Sequence, residues 1–354
     1  MSSVLDAPST APTTAVDPTR ARRTVRAAVV TVVLAVAIAA AVVASLALGA
    51  RDIAPDVVVA ALTGGLPDDH YDAIVVLAER LPRTLLALMV GACLGAAGAI
   101  MQALTRNPLV DGGILGVELG AACAVVLAMV LLGVTDLATT FWFALVGAAL
   151  TAAVVWTAAR LTSGTSPAIA LVICGAAMSA LLAAVVNLLI VRDEATNAFY
   201  RYWVVGQLDG RGAALTELWP FAVAGLVVAL LLGGRLNVLA LGEAGAAGLG
   251  VDVRRTLLVC AGVAVLLCAA ATAAVGPIGF VGLVGAHAAR LLLGADLRRV
   301  VPAAAACGAL LLVVADVAGR LVPGHGEIQV GIMTALVGTP AFVLLARSRR
   351  LVSV

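Results

Sequence analysis

Two blocks of charged and helix-breaking residues interrupt this otherwise apolar chain of 354 residues. The first runs Arg80-Leu-Pro-Arg83, continues as Gln102-Ala-Leu-Thr-Arg-Asn-Pro-Leu109, and closes at Gly116. The second runs Gly276-Pro-Ile-Gly-Phe-Val-Gly-Leu283 and continues to His287 and Arg290. A guanidinium fork matches the geometry of a carboxylate. Arg80, Arg83 and, later in the chain, Arg320 are therefore candidates for recognising acidic groups, although any one of them also reads as a snorkelling interfacial Arg. Asn107-Pro108 is a turn signal, and Pro277 among its glycines breaks a helix. His287 has the chemistry of an acid, a base or a ligand, but a lone His in an apolar helix is more often a packing residue.

The remaining reactive side chains exclude several functions. The three His, at 70, 287 and 325, lie far apart in sequence, and Cys93, Cys123, Cys174, Cys260, Cys268 and Cys307 show no C-x-x-C spacing. The cysteines read as small apolar packing residues, and no metal or cofactor site is expected. All 22 basic residues are Arg. Without Lys, the chain has no phosphate loop of the G-x-x-x-x-G-K-[ST] type and no Schiff-base amine. An integral-membrane enzyme would need convergent nucleophile, base or metal groups, which the scattered His do not supply. No catalytic residue is assigned, and no nucleic-acid partner is expected. If ATP drives this protein, another polypeptide hydrolyses it.

The elements that hold these residues follow from composition. Hydrophobic residues make up 63% of the chain and charged ones 12%, with a mean hydropathy of +1.13; a soluble domain carries about 25% charged residues. The expected fold is an all-α polytopic membrane protein of about ten transmembrane helices, at roughly 20 residues per span. The predicted spans are 27–50, 81–104, 113–133, 139–160, 168–191, 215–233, 256–275, 278–293, 301–319 and 329–346. Residues 1–22 are expected to form a disordered cytoplasmic tail and 23–354 one transmembrane domain. The first run is longer than the core of a signal peptide, about 7–15 residues, so it reads as a retained helix.

Charge fixes the expected orientation. With the Arg cluster before the first span cytoplasmic, Arg106, Arg160, Arg235, Arg254, Arg255, Arg298, Arg299 and Arg347 fall on the same side. The opposite side gathers most of the acids, including Asp52, Asp56, Asp69 and Asp72. This is the positive-inside pattern, and it places both termini in the cytoplasm. Gly91, Gly95 and Gly98 allow close approach of helix backbones, or else line a path into which Gln102 reaches. The segment 237–251 is too short to span and mildly amphipathic, so it reads as an interfacial helix or a docking surface. Arg83-Thr-Leu-Leu and Arg255-Thr-Leu-Leu hint at an inverted repeat.

Taken together, the strings from Gln102 to Gly116, Leu241-Gly242-Glu243 with Ala247 and Leu249-Gly250-Val251, Gly276 to His287, Asp316 with Arg320, Glu327-Ile-Gln-Val-Gly331 and Gly338-Thr-Pro-Ala-Phe342 resemble one family. It is the FecCD-like and cobalamin-permease-like membrane subunit of ATP-binding-cassette importers for iron siderophores, haem and cobalamin. The resemblance spans roughly residues 75–346. It implies a type II permease fold in a bacterial cell membrane, dimeric with a second copy or a sister permease, with the path at the subunit interface. It also implies two further partners, a cassette ATPase subunit and an extracytoplasmic substrate-binding protein.

By the same resemblance, Arg80, Arg83 and Arg320 would dock the binding protein. Gly242, Glu243, Ala247, Leu249 and Gly250 would form the coupling loop on the ATPase. Gly95, Gln102, Asn107, Pro108, Gly116, Pro277 and His287 would line or gate the path. The expected cargo is a ferric siderophore, ahead of haem or cobalamin. The chain departs from the family pattern at Gly112, Ala286 and Gln329, each standing where Pro is usual. Glu118 stands where a small residue is expected. The alternative that the residues leave open is an ion-coupled secondary transporter, which would place acids at mid-membrane; Glu118 and Asp316 are the acids within spans.

Overall fold

Apolar runs of this length satisfy their backbone in lipid only as helices, and the computed structural model shows fourteen α-helices among the described residues. Those residues are 18–347, without 50, 68, 163–166, 192 and 323–325. In order the helices are α1 (Pro18–Ala47), α2 (Pro55–Leu62), α3 (Tyr71–Ile74), α4 (Leu81–Thr105), α5 (Val117–Leu132), α6 (Leu137–Leu161) and α7 (Pro167–Ile190). They continue as α8 (Glu194–Val204), α9 (Ala214–Ala240), α10 (Glu243–Gly248), α11 (Val253–Val275), α12 (Val281–Leu293), α13 (Leu297–Arg320) and α14 (Val330–Arg347). Among the described residues, seven segments are long and apolar enough to cross a membrane, and α5, α12 and the start of α14 are shorter apolar helices. The sum agrees with the expected ten.

The boundaries differ from the sequence reading in informative places. Residues 1–17 of the expected tail lie outside the described residues, and α1 already begins at Pro18. A π-helical stretch, Val75–Arg80, joins α3 to α4, so one continuous helix runs from Tyr71 to Thr105. The predicted span 113–133 is divided: Gly112–Leu115 is a 3-10 turn, and α5 starts only after Gly116. α9 runs to Ala240, beyond its predicted end, which shortens the loop expected at 237–251. The short helices α2, α3, α8 and α10 are too brief or too polar to show in a search for membrane spans.

α4 is the axis of the bundle, packed against α9, α11, α12 and α13. Glycine makes this possible. A Cβ added at Gly91 would lie 2.5 Å from the Gly308 carbonyl oxygen, and one at Gly95 would lie 2.1 Å from that of Ala304. One at Gly98 would lie 2.3 Å from the Gly282 oxygen. In lipid, where apolar side chains gain nothing by leaving the solvent, such close backbone contact is what draws helices together. α5, α6 and α7 form a second group beside this axis, with Gly120 and Gly147 in close approach.

α1 lies against α13 with most of its valines outward. It is pinned at both ends. Arg26 donates to the Leu291 carbonyl at 2.9 Å, and Ser45 shares a 2.7 Å hydrogen bond with Thr84.

Candidate functional site

The two blocks singled out in the sequence meet in space. After α4, Arg106 takes a left-handed conformation (φ 51°), which turns the chain back along the helix it has left. Asn107 Oδ1 accepts the Leu109 N–H at 3.0 Å, a side-chain turn before Pro108. This brings Asp111 to the break between α11 and α12. There Asp111 Oδ1 accepts the Gly112 N–H at 2.8 Å, and Oδ2 accepts the Phe280 N–H at 3.1 Å.

Phe280 is the N-cap of α12 and holds a left-handed backbone (φ 69°) that a bulky residue rarely adopts. Asp111 therefore fixes a strained residue at the start of a helix. A Cβ at Gly282 would lie 2.5 Å from Asp111 Oδ1, so Gly there is what admits the carboxylate.

The broken segment 276–280 is enclosed by protein, the condition under which irregular backbone is tolerated at membrane depth. Gln207 donates to the Val275 carbonyl at 2.7 Å. The Pro277 carbonyl abuts Gly206, and Gly276 abuts the Trp203 carbonyl. Gly331 at the start of α14 sits against Val205.

A cavity of about 520 Å3 opens beside this junction, lined by Leu109, Asp111, Glu118, Ser179, Phe280 and Phe342 among others. Its walls come from the 106–111 turn, α5, α7, α12 and α14. Gly116, left-handed at φ 70°, joins the 3-10 turn to α5 and packs near Ser179, so it shapes the wall.

Of the residues expected on the path, Pro277, Asn107, Pro108 and Gly116 gather around this junction, whereas Gly95 and Gln102 lie inside the bundle. Gly95 is a packing residue against α13. Gln102 is fully buried, and its Oε1 accepts from Arg290 Nη1. Arg290 Nη2 also donates to the Ala99 carbonyl at 3.3 Å. This buried pair ties α12 to α4. His287, one turn before Arg290, is buried with Nε2 unpartnered among the described residues.

Arg106 also reaches the end of α9. Its Nη2 donates to the Leu239 carbonyl at 3.2 Å, at the C-terminal end of α9, where unpaired carbonyls favour a cation. That end leads into Gly242 and α10. Gly242 (φ 98°) and Gly250 (φ 76°) bracket α10 in conformations that suit glycine. Ala246 is buried, while Leu241, Ala247, Leu249 and Gly250 are exposed. Arg106 thus links the end of α9 that leads into α10 to its own turn, which ends at the Asp111–Phe280 junction. The sequence contained the residue but no signal for that contact.

At the opposite end of the bundle the three expected docking arginines behave unequally. Arg80 and Arg320 are each 7% exposed and turn inward. Arg80 Nη1 donates to the carbonyls of Leu46 at 2.7 Å and Ala47 at 2.9 Å, and Nη2 to that of Arg51. Arg320 Nη1 donates to the Ser45 and Leu48 carbonyls at 3.0 and 3.4 Å, and Nη2 to Ser45 Oγ at 2.6 Å. Between them they satisfy the orphan carbonyls that end α1.

Arg83 binds Asp316 through Nη2 at 2.8 Å and Nε at 3.1 Å, and Glu327 through Nη1 at 2.5 Å. Asp316 also contacts Arg320 at 3.0 Å. The groups that face outward here are Asp209, Glu327 and Arg51. A docking reading that needs free guanidinium groups therefore does not fit Arg80 or Arg320.

Comparison with known proteins adds the following. The model of the FecCD transport family matches residues 35–348. The chain is 40% identical over 276 residues to the "Probable siderophore transport system permease protein YfiZ" of Bacillus subtilis (strain 168), covering 77% of this chain and 83% of that one. It is 38% identical over 307 residues to the ferric enterobactin transport system permease protein FepD of Escherichia coli (strain K12), covering 86% and 91%. A solved structure described as "An inward-facing conformation of a putative metal-chelate type ABC transporter" matches with a TM-score of 0.76 at 27% identity, over 91% of this chain and 99% of that one.

Proposed function

The chain belongs to the FecCD transport family, and on that premise we propose that it is the permease subunit of an ATP-binding-cassette importer that carries a ferric siderophore into the cytoplasm. The observation that carries the reading is the Asp111–Phe280 junction. It joins the loop after α4 to the broken start of α12, beside a cavity large enough for a small molecule. The chain itself performs no bond chemistry. It supplies a gate with two states, and nucleotide moves that gate only by binding the two states differently on a partner.

In this reading α10, with Gly242, Glu243, Ala247, Leu249 and Gly250, is the face that docks the ATPase. Its support is the pair of exposed leucines, Leu241 and Leu249, next to the α9 end that Arg106 caps. Arg106 then transmits displacement of α10 to the turn that ends in Asp111. Both termini and α10 lie in the cytoplasm, and the end bearing Arg83 faces outward. There Arg80 and Arg320 hold the rim rigid, while Arg51, Asp209 and Glu327 around Arg83 present the charges a binding protein meets. A second copy or a sister permease packs against the face with exposed Ile173 and Leu336, closing the open side of the cavity.

Purification of the tagged chain from native membranes in mild detergent tests this. A stoichiometric ATPase subunit is the expected companion. A clean, transport-active chain without one, from membranes where such complexes survive extraction, would instead favour the ion-coupled alternative.

A further inference from the structure

We propose that Glu118 makes the cavity between α5, α7, α12 and α14 selective by charge, admitting neutral or cationic ferric chelates and rejecting strongly anionic ones. The inference rests on the reading of that cavity as part of an import path, and it names the substrate class that the path accepts.

The cavity walls are mainly apolar, including Val172, Leu283, Phe280 and Phe342. Among the described residues its ionisable groups are Asp111 and Glu118, and no Arg or His lines it. The two acids differ in environment. Both oxygens of Asp111 are occupied by backbone N–H groups. Glu118 has no hydrogen bond or ion pair with any described residue, and it lines the cavity from the first turn of α5. Gly113 leaves room for it: a Cβ there would stand 3.3 Å from Glu118 Oε2.

The N-terminal turns of α5 and α12 both end at this wall, and helix N-termini favour negative charge. Where Glu118 is ionised, no described cation lies beside it to cancel its charge, and the apolar walls screen that charge little. A carboxylate held in a membrane segment without a partner marks a pathway rather than a packing position. The sequence resemblance leads one to expect a small residue at 118, and this chain carries Glu there.

The test uses the chain purified in nanodiscs with whatever subunits accompany it. Ser179 is replaced by Cys on the cavity wall, and Cys174→Ala removes the one partly exposed native cysteine; the other five are buried. Labelling rates are measured with a cationic and an anionic methanethiosulfonate, and Cys174→Ala alone gives the background. Expected is faster labelling by the cationic reagent, with the cation-to-anion rate ratio falling by about tenfold in Glu118→Gln. An unchanged ratio would overturn the proposal.

Protection of the same cysteine against a neutral methanethiosulfonate then compares a neutral ferric trihydroxamate with a strongly anionic ferric tris-catecholate. The neutral chelate should protect at lower concentration, and Glu118→Gln should narrow the gap. Equal protection by both chelates in the unsubstituted Glu118 background contradicts the selection. Failure of every chelate to protect, with the labelling ratio moved as expected, contradicts the import reading of the cavity rather than the charge at Glu118.

Discussion

Asp111 accepts the backbone N–H of Phe280 at 3.1 Å across a separation of 169 residues. The bond secures a left-handed Phe at the N-terminus of α12 and seats the turn after α4 against it. One carboxylate thus holds together the parts of the chain that differ most from plain membrane helix.

Removing it has a definite expectation. Asp111→Ala leaves the N–H groups of Gly112 and Phe280 unpaired, at about 1–3 kcal/mol for an unsatisfied buried donor. Asp111→Asn keeps an acceptor oxygen and should lose less. Thermal unfolding in detergent checks the order, with Ala below Asn below the parent; equal melting of all three would show that the bond holds nothing.

The glycines of α4 separate packing from flexibility. Gly95→Ala forces a methyl against the Ala304 carbonyl, an overpacking worth about 1–3 kcal/mol. Gly262→Ala on α11 meets nothing within 4 Å and should be neutral or slightly stabilising, since Ala is the better helix former. A melting comparison in which Gly262→Ala fell as far as Gly95→Ala would refute the close-contact explanation.

Asp316 stands between Arg83 and Arg320. Asp316→Asn leaves two largely buried guanidinium groups short of a counter-charge, a loss of about 3–5 kcal/mol. The Asp209 carboxylate, which also meets Arg83, is exposed, and Asp209→Asn should change stability by less than about 1 kcal/mol. Folded yield after detergent extraction distinguishes the two; comparable losses would mean that burial is not what gives Asp316 its weight.

Coupling should depend on Arg106 and on the α10 loop. Arg106→Ala removes the contact with the Leu239 carbonyl, and Glu243→Arg reverses a charge on α10. Both variants should retain the ATPase subunit and hydrolyse ATP, while iron imported per ATP falls several-fold. Normal stoichiometry in a well-expressed Arg106→Ala variant would remove that residue from the coupling route.

Much of the architecture was legible because lipid imposes simple rules. Ten apolar segments read from hydropathy reappear as ten apolar helices, and Pro277 with its glycines marks the break that precedes α12. Gly91, Gly95 and Gly98 are recognisable as close-contact residues from spacing alone. What faces them was not, and Gly95 packs on α13 where the path reading put it beside cargo. Arg80 and Arg320 show the same limit. An Arg near a helix end reads equally as a surface cation or as a cap for a neighbouring helix, and only the position of α1 decides for the cap. The Asp316–Arg320 spacing of four residues was the available clue, since it places both on one face of α13. The Asp111–Phe280 and Arg106–Leu239 contacts join distant segments and leave no local pattern to read.

The most direct single measurement is uptake of radioactive iron as a neutral ferric trihydroxamate into proteoliposomes that contain the chain with its co-purified subunits and a matching binding protein. Expected is accumulation that requires ATP on the α10 side and persists when ion gradients are collapsed. Accumulation driven by an ion gradient without ATP would contradict the importer assignment.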